Sequence, residues 1–164
     1  MMRTLAYGQG MTASQNLSRT VVSDLYEQAL LLADEARAVF DLRASQVIEG
    51  NEDLVRIALS IEGLKTTTRI MHALAWLLNQ RAHMAGELSD RQLERCGDLP
   101  ESRPADPDQL AHLLPETRAL IRESEALHAR VARLDALQRE LREQERGPVP
   151  VLQSRVASAF AAGG

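Results

Sequence analysis

A chain of 164 residues, 45% hydrophobic and 26% charged, has the make-up of one globular domain, and its net charge of −4 withholds the positive surplus that nucleic-acid binding needs. Aromatic residues are only 3%, so the core must come from Leu, Ala, Ile and Val, a mixture that favours helices. The single cysteine, Cys96, excludes an intramolecular disulfide and a cysteine zinc cluster and suits a reducing cytosol.

In chain order, residues 1–17 are expected to form a flexible N-terminus. The start "MMRTLAYGQG" has no apolar leader-like stretch and no run approaches about 18 uninterrupted apolar residues, so a cytoplasmic protein that neither enters nor spans a membrane is expected. Val22, Leu25, Ala29, Leu32, Ala36 and Val39 recur in steps of three and four, which predicts a helix over about 18–43 with one apolar stripe. Gly50 and Asn51 supply a turn, with Asn51 placed to cap the next helix.

That second helix is expected over 52–85. Leu54, Ile57, Ile61, Leu64, Thr68, Met71, Ala75, Leu78, Ala82 and Ala85 continue the three-four spacing without a break, and this stripe is expected to face the bundle core. Thr68 is then core-facing, its hydroxyl bonding a carbonyl one turn back. Ile70, Leu74 and Leu77 form a second apolar row beside the first. Gly63 costs about 1 kcal/mol relative to alanine in a helix interior, so it is expected to mark a close helix approach.

Prolines 100, 104, 107 and 115 and glycines 86 and 97 deny residues 86–115 a continuous helix. Within this proline-rich connection, Ser89 and Gln92 have capping-box spacing and predict a turn or two of helix near 90–95. Pro115 suits a first helical turn, and Leu120, Leu127, Leu134 and Leu141, with Val131 between them, predict a third long helix over 116–146. Asp135, Arg139 and Glu143 are spaced as a charged ladder at i, i+4 steps, and this ladder is expected on its solvated face. Residues 147–164 hold too few large apolar side chains to fold alone and are expected to form a disordered, mobile tail.

The expected fold is therefore all-α: one helical-bundle domain over 18–146, its three long helices packed in antiparallel fashion. Ile121 and Leu137 on the third helix add to the second apolar row of the second, more apolar surface than a three-helix monomer covers. A homodimer through the extra face of helix two, helix three or both is expected.

No site for chemistry emerges. His72 and His83 share a helix face but stand roughly 16 Å apart by helix rise, too far for one metal ion. Serine-hydrolase, P-loop and dinucleotide fingerprints are missing from the sequence, and Cys96 has no local histidine to activate it. No catalytic residue, cofactor or metal is assigned. Trp76 is expected on a partly polar strip with His72 and Gln80, within reach of Arg69 and Arg81. Tryptophan is enriched at binding hot spots, so Arg69, His72, Trp76, Gln80 and Arg81 are the candidate partner interface.

The segment "LKTTTRIMHALAWLLNQRAHMAGELS", followed after the proline-rich connection by "LPETRALIRESEALHARVARLD", resembles the RcdA family, regulators of CtrA degradation in alphaproteobacteria. The likeness covers roughly residues 20–140. It is most specific at Thr67, Thr68 and Arg69, at Trp76 to Leu78, at Arg81 and Ala82, and at Arg130 to Asp135. The resemblance implies a dimeric three-helix bundle with a disordered C-terminal tail. It also implies a non-enzymatic adaptor that bridges the ClpXP protease, primed by the receiver-like CpdR, to cargo such as the cell-cycle regulator CtrA. It assigns no binding residue. Ala161 and Ala162 are small apolar residues of the kind ClpX engages, although Gly163 and Gly164 follow, and a plain disordered end is the simpler expectation. A dimeric helical scaffold or transcription-associated regulator with no protease link is the competing reading.

Overall fold

The computed structural model describes residues 13–43, 52–145 and 147. The fold is all-α. Three long helices, α1 (Ala13–Arg43), α2 (Glu52–Met84) and α5 (Pro115–Glu145), carry the core, and two short ones, α3 (Asp90–Cys96) and α4 (Pro107–Leu110), lie in the connection between α2 and α5. The first helix begins at Ala13, ahead of the expected start. The turn around Asn51, the first residues of the N-terminus and the tail beyond 147 lie outside the described residues. None of the described helices is long and apolar enough to cross a membrane.

Each boundary has a local cause. Gly86 (φ 79°) ends α2 in a left-handed turn, where the amides of Gly86 and Glu87 reach back to the carbonyls of His83 and Ala82. These are the two bonds of a Schellman termination. Arg19 donates to the carbonyl of Met84 at 2.8 Å, placing a cation at the carbonyl end of α2. Ser89 and Gln92 close the expected capping box and start α3. Asp106 caps α4 by accepting the Asp108 amide at 2.9 Å, with Pro107 in the first turn.

α1 runs against α2: Phe40 lies by Gly63, and Tyr26 by Arg81. α5 does not alternate in turn. Arg69 meets Ser124, and further along Trp76 meets Asp135, so α2 and α5 advance together. The expected antiparallel arrangement of all three long helices is thereby corrected. Its physical reason is the connection: residues 85–114 travel back along the whole length of α2 before α5 begins, and a connection of that reach lets two successive helices run parallel.

The core follows the predicted stripes on α1 and α5. Val22, Leu25, Ala29, Leu32 and Ala36 pack with Leu120, Leu127 and Val131, while Leu141, the last of the α5 leucines, has left the core and is exposed. Ile121 is fully buried in a second cluster with Ala58, Leu59 and Leu113.

On α2 the predicted face is reversed. Ile70, Ala73, Trp76 and Leu77 point inward, and the long regular stripe from Leu54 to Leu78 points to solvent. Thr68 is accordingly exposed, and Thr66 is the buried threonine; its hydroxyl has no hydrogen-bond partner among the described residues. Gly63 does mark a close approach, since a Cβ there would stand 2.9 Å from Cδ1 of Phe40. A Gly63→Val substitution should lower stability by about 1–3 kcal/mol through overpacking against that ring, read as a reduced thermal midpoint. An unchanged midpoint would show that the ring gives way freely.

Candidate protein-docking surfaces

The inner face of α2 is a ladder of polar side chains at helical spacing, and what it grips is the returning connection. Arg69, 1% exposed, donates from Nε to Ser102 Oγ (2.7 Å), from Nη1 to Ser124 Oγ (2.6 Å) and from Nη2 to the carbonyl of Arg103 (2.8 Å). Glu125 on α5 sits 3.6 Å from the same guanidinium and accepts the amide of Ala105. Two turns earlier, the buried carboxylate of Glu62 accepts the Asp106 amide at 3.1 Å and Lys65 Nζ at 2.8 Å, and Lys65 also reaches the carbonyl of Pro104. Toward the other end, Trp76 Nε1 donates to Asp135 at 2.9 Å, and the second oxygen of Asp135 takes the Leu99 amide at 3.4 Å and an ion pair with Arg139. Residues 99–106 therefore form a strap laid in the groove between α2 and α5, its backbone polar groups satisfied by side chains of both helices.

This geometry decides where the sequence-derived candidates stand. Arg69, Trp76 and Gln80 are buried inside the protomer and are not on its outer surface. His72 is half-buried. Arg81 is exposed, its guanidinium 4.4 Å above the ring of Tyr26. The five do not form one continuous outer surface: a helix turns 100° per residue, and positions 69, 76 and 80 share the inward side while 81 lies beyond its edge.

The surface that is free lies on the other side of α2. Leu54, Ile57, Ile61, Leu64, Met71 and Leu78 are exposed in one line along the helix, with Leu64 at 70% and Met71 at 57%. Thr68, Ala75 and Ala85 continue the line, and Ala82 is half-buried. No charged side chain interrupts it. Smaller apolar spots occur at Leu30 and Leu31 on α1 and at Leu137 and Leu141 on α5. The periodicity was legible in the sequence, but its direction was not. The signal for it was the charge at positions 62 and 69, which the strap pairs. Among the described residues there is no group of three or more His, Cys, Asp or Glu able to hold a metal ion. Cys96 is exposed at the end of α3.

The family model described as a protein of unknown function, DUF1465, matches residues 13–160. The chain belongs to the DUF1465 family. No curated protein and no solved structure matches it.

In this DUF1465 chain a titratable side chain of α5 also latches the strap. His128 on α5 is buried, and its Nε2 donates to the carbonyl of Pro100 at 3.0 Å, which fixes the neutral tautomer with the proton on that nitrogen. Burial pushes its pKa below the ordinary histidine value; the Pro100 carbonyl opposes that shift, and the positive Arg69 and nearby His72 reinforce it. The guanidinium of Arg69 is likewise pushed down from its usual range by burial, against the attraction of Glu125 and Glu62.

Above the unfolded histidine value of about 6.5, both states hold His128 neutral and its contribution to stability is complete. As pH falls through that value the unfolded chain takes up a proton that the folded chain refuses, so stability is lost toward the lower folded value. Urea unfolding followed by the fluorescence of Trp76 should therefore show a midpoint that falls between pH 7 and 5.5. A His128→Gln variant should lower the midpoint at pH 7.5 and flatten that fall. An equal slope in both proteins would remove His128 from the pH response.

Proposed function

We propose that this DUF1465 protein is a non-enzymatic adaptor that works as a cytoplasmic homodimer and delivers cell-cycle regulators such as CtrA to the ClpXP protease, in the manner of the RcdA family it resembles. The observation that carries the reading is the uncharged apolar line on α2, Leu54 to Leu78, exposed along a helix whose opposite face is locked into the bundle. A soluble monomer seldom leaves so long an apolar line open, and such patches mark protein–protein contact. The polar side chains of the described residues support the same view. Of the buried ones, Arg69, Glu62, Asp135 and His128 bond the strap directly and Trp76 bonds Asp135, which suits a scaffold that presents surfaces to other proteins. On this reading the protein needs no cofactor and does not bind nucleic acid. ClpX, a CpdR-like receiver and the cargo are its partners, with Arg81 and His72 as the accessible members of the strip first singled out.

A reconstituted degradation assay tests it. CtrA should be lost several-fold faster when this protein and the receiver are both added to ClpXP than when either is omitted. Equal rates with and without the protein would overturn the adaptor reading and leave a dimeric helical scaffold without a protease link, for which pulldown on ClpX would show no receiver-dependent retention.

A further inference from the structure

The outward line on α2 specifies its occupant more closely than apolarity alone. Its members fall in two alternating rows, at 54, 61, 68, 75 and 82 and at 57, 64, 71, 78 and 85, the seven-residue repeat of a helix-to-helix seam. Size is graded along both rows. The first half carries Leu54, Ile57, Ile61 and Leu64, while the second half ends in Ala75, Ala82 and Ala85 around Met71 and Leu78. A helix of uniform girth laid on this line would touch one end and gape at the other.

We propose that the occupant is the same line of a second copy, crossing in the opposite direction about a two-fold axis between residues 69 and 70. This pairing deepens the dimer in the proposed function and rests on it only for its role, not for its geometry. In that register each layer joins one row to the other: Leu54 with Ala85, Ile57 with Ala82, Ile61 with Leu78, Leu64 with Ala75, and Thr68 with Met71, the second residue of each pair belonging to the other copy. Four of the five layers set a large side chain against a smaller one, so the two axes stay evenly spaced along the contact. Parallel pairing would stack leucine on leucine at one end and alanine on alanine at the other, and the helices would splay.

A two-fold contact of this kind is isologous and closes at two copies, so the same surface meets itself and no open edge remains for a filament. The area is adequate. The six large side chains, 39–70% exposed, bring roughly 600 Å² per copy, and the threonine, alanines and flanks bring the total near the ~800 Å² per partner of a standard interface. Of the positions flanking the rows, Ser60, Thr67 and Asn79 are uncharged and Asp53, Lys65 and Arg81 are charged, and no carboxylate faces its own copy across the axis. Antiparallel helices also set the positive end of one dipole beside the negative end of the other.

The experiment uses the full chain. Multi-angle light scattering at about 50 μM should give twice the monomer mass of 18.1 kDa. The Leu64→Glu, Leu78→Glu double variant should give the monomer mass with unchanged helical circular dichroism, because both side chains are already exposed in the protomer. Orientation is read in a Cys96→Ser background under mild oxidation. The Leu64→Cys, Ala75→Cys pair should cross-link into a covalent dimer, whereas Leu64→Cys alone and Ala75→Cys alone should not. A monomeric parent protein, or a double glutamate variant that remains dimeric, overturns the pairing. Efficient cross-linking of either single variant overturns the antiparallel register. Failure of the degradation assay with a dimer that cross-links as expected would discard the adaptor role and leave the pairing standing.

Discussion

The buried guanidinium of Arg69 is the constraint on which the rest of this architecture depends. Five N–H donors in a rigid plane cannot enter a protein interior unless oxygen atoms meet them, and here they come from two separate pieces of chain: the hydroxyl of Ser102 and the carbonyl of Arg103 on the strap, and the hydroxyl of Ser124 and the nearby carboxylate of Glu125 on α5. Such an arrangement adds little net stability over an apolar substitute, but it admits one register only. Sliding the strap by a residue would leave a buried charge unpaired, which costs several kcal/mol. Arg69 thus fixes where residues 102–106 lie and, through them, that α5 starts at the same end as α2.

From that register the two characters of α2 follow. Its inner side meets a backbone segment as well as two helices, and an extended backbone has amides and carbonyls that need partners. Glu62, Lys65, Arg69 and Trp76 supply or receive these bonds, directly or through Asp135, so the inward face is necessarily part polar. Apolar packing is confined to the inward side facing α1 and α5, where Ile70, Ala73 and Leu77 sit, and Gly63 admits the ring of Phe40.

The sequence made the helices legible because their signals are local. Three-four spacing outlined α1 and α5, and the Ser89–Gln92 box located α3. Burial on α1 was readable for the same reason: its other faces carry charges such as Asp24, Glu27 and Asp34, so only one side could turn inward. On α2 both sides are apolar enough to serve, and periodicity carries no information about which neighbour is present. The more regular stripe was the outer one. Nor could spacing foresee the strap, since prolines 100 and 104 forbid a helix without saying what the extended chain lies against, and its partners are tens of residues away in sequence. Trp76 and Arg69 were visible as unusual residues, and their pairing with Asp135, Ser102 and Ser124 was not, because nothing local links them.

The exposed line persists because the monomer has no inexpensive way to hide it. Rolling α2 about its axis by half a turn would bring Leu54, Leu64 and Met71 inward, but it would carry Arg69, Glu62 and Trp76 out of the groove and strip the strap of its partners. It would also expose Ile70 and Leu77, exchanging one apolar face for another of similar size and gaining nothing from the hydrophobic effect. The polar lock therefore holds the apolar line outward. Because the lock also holds α2 against the rest of the bundle, whatever settles on the line meets a preformed helical ridge and does not have to order it first, which lowers the entropic cost of association.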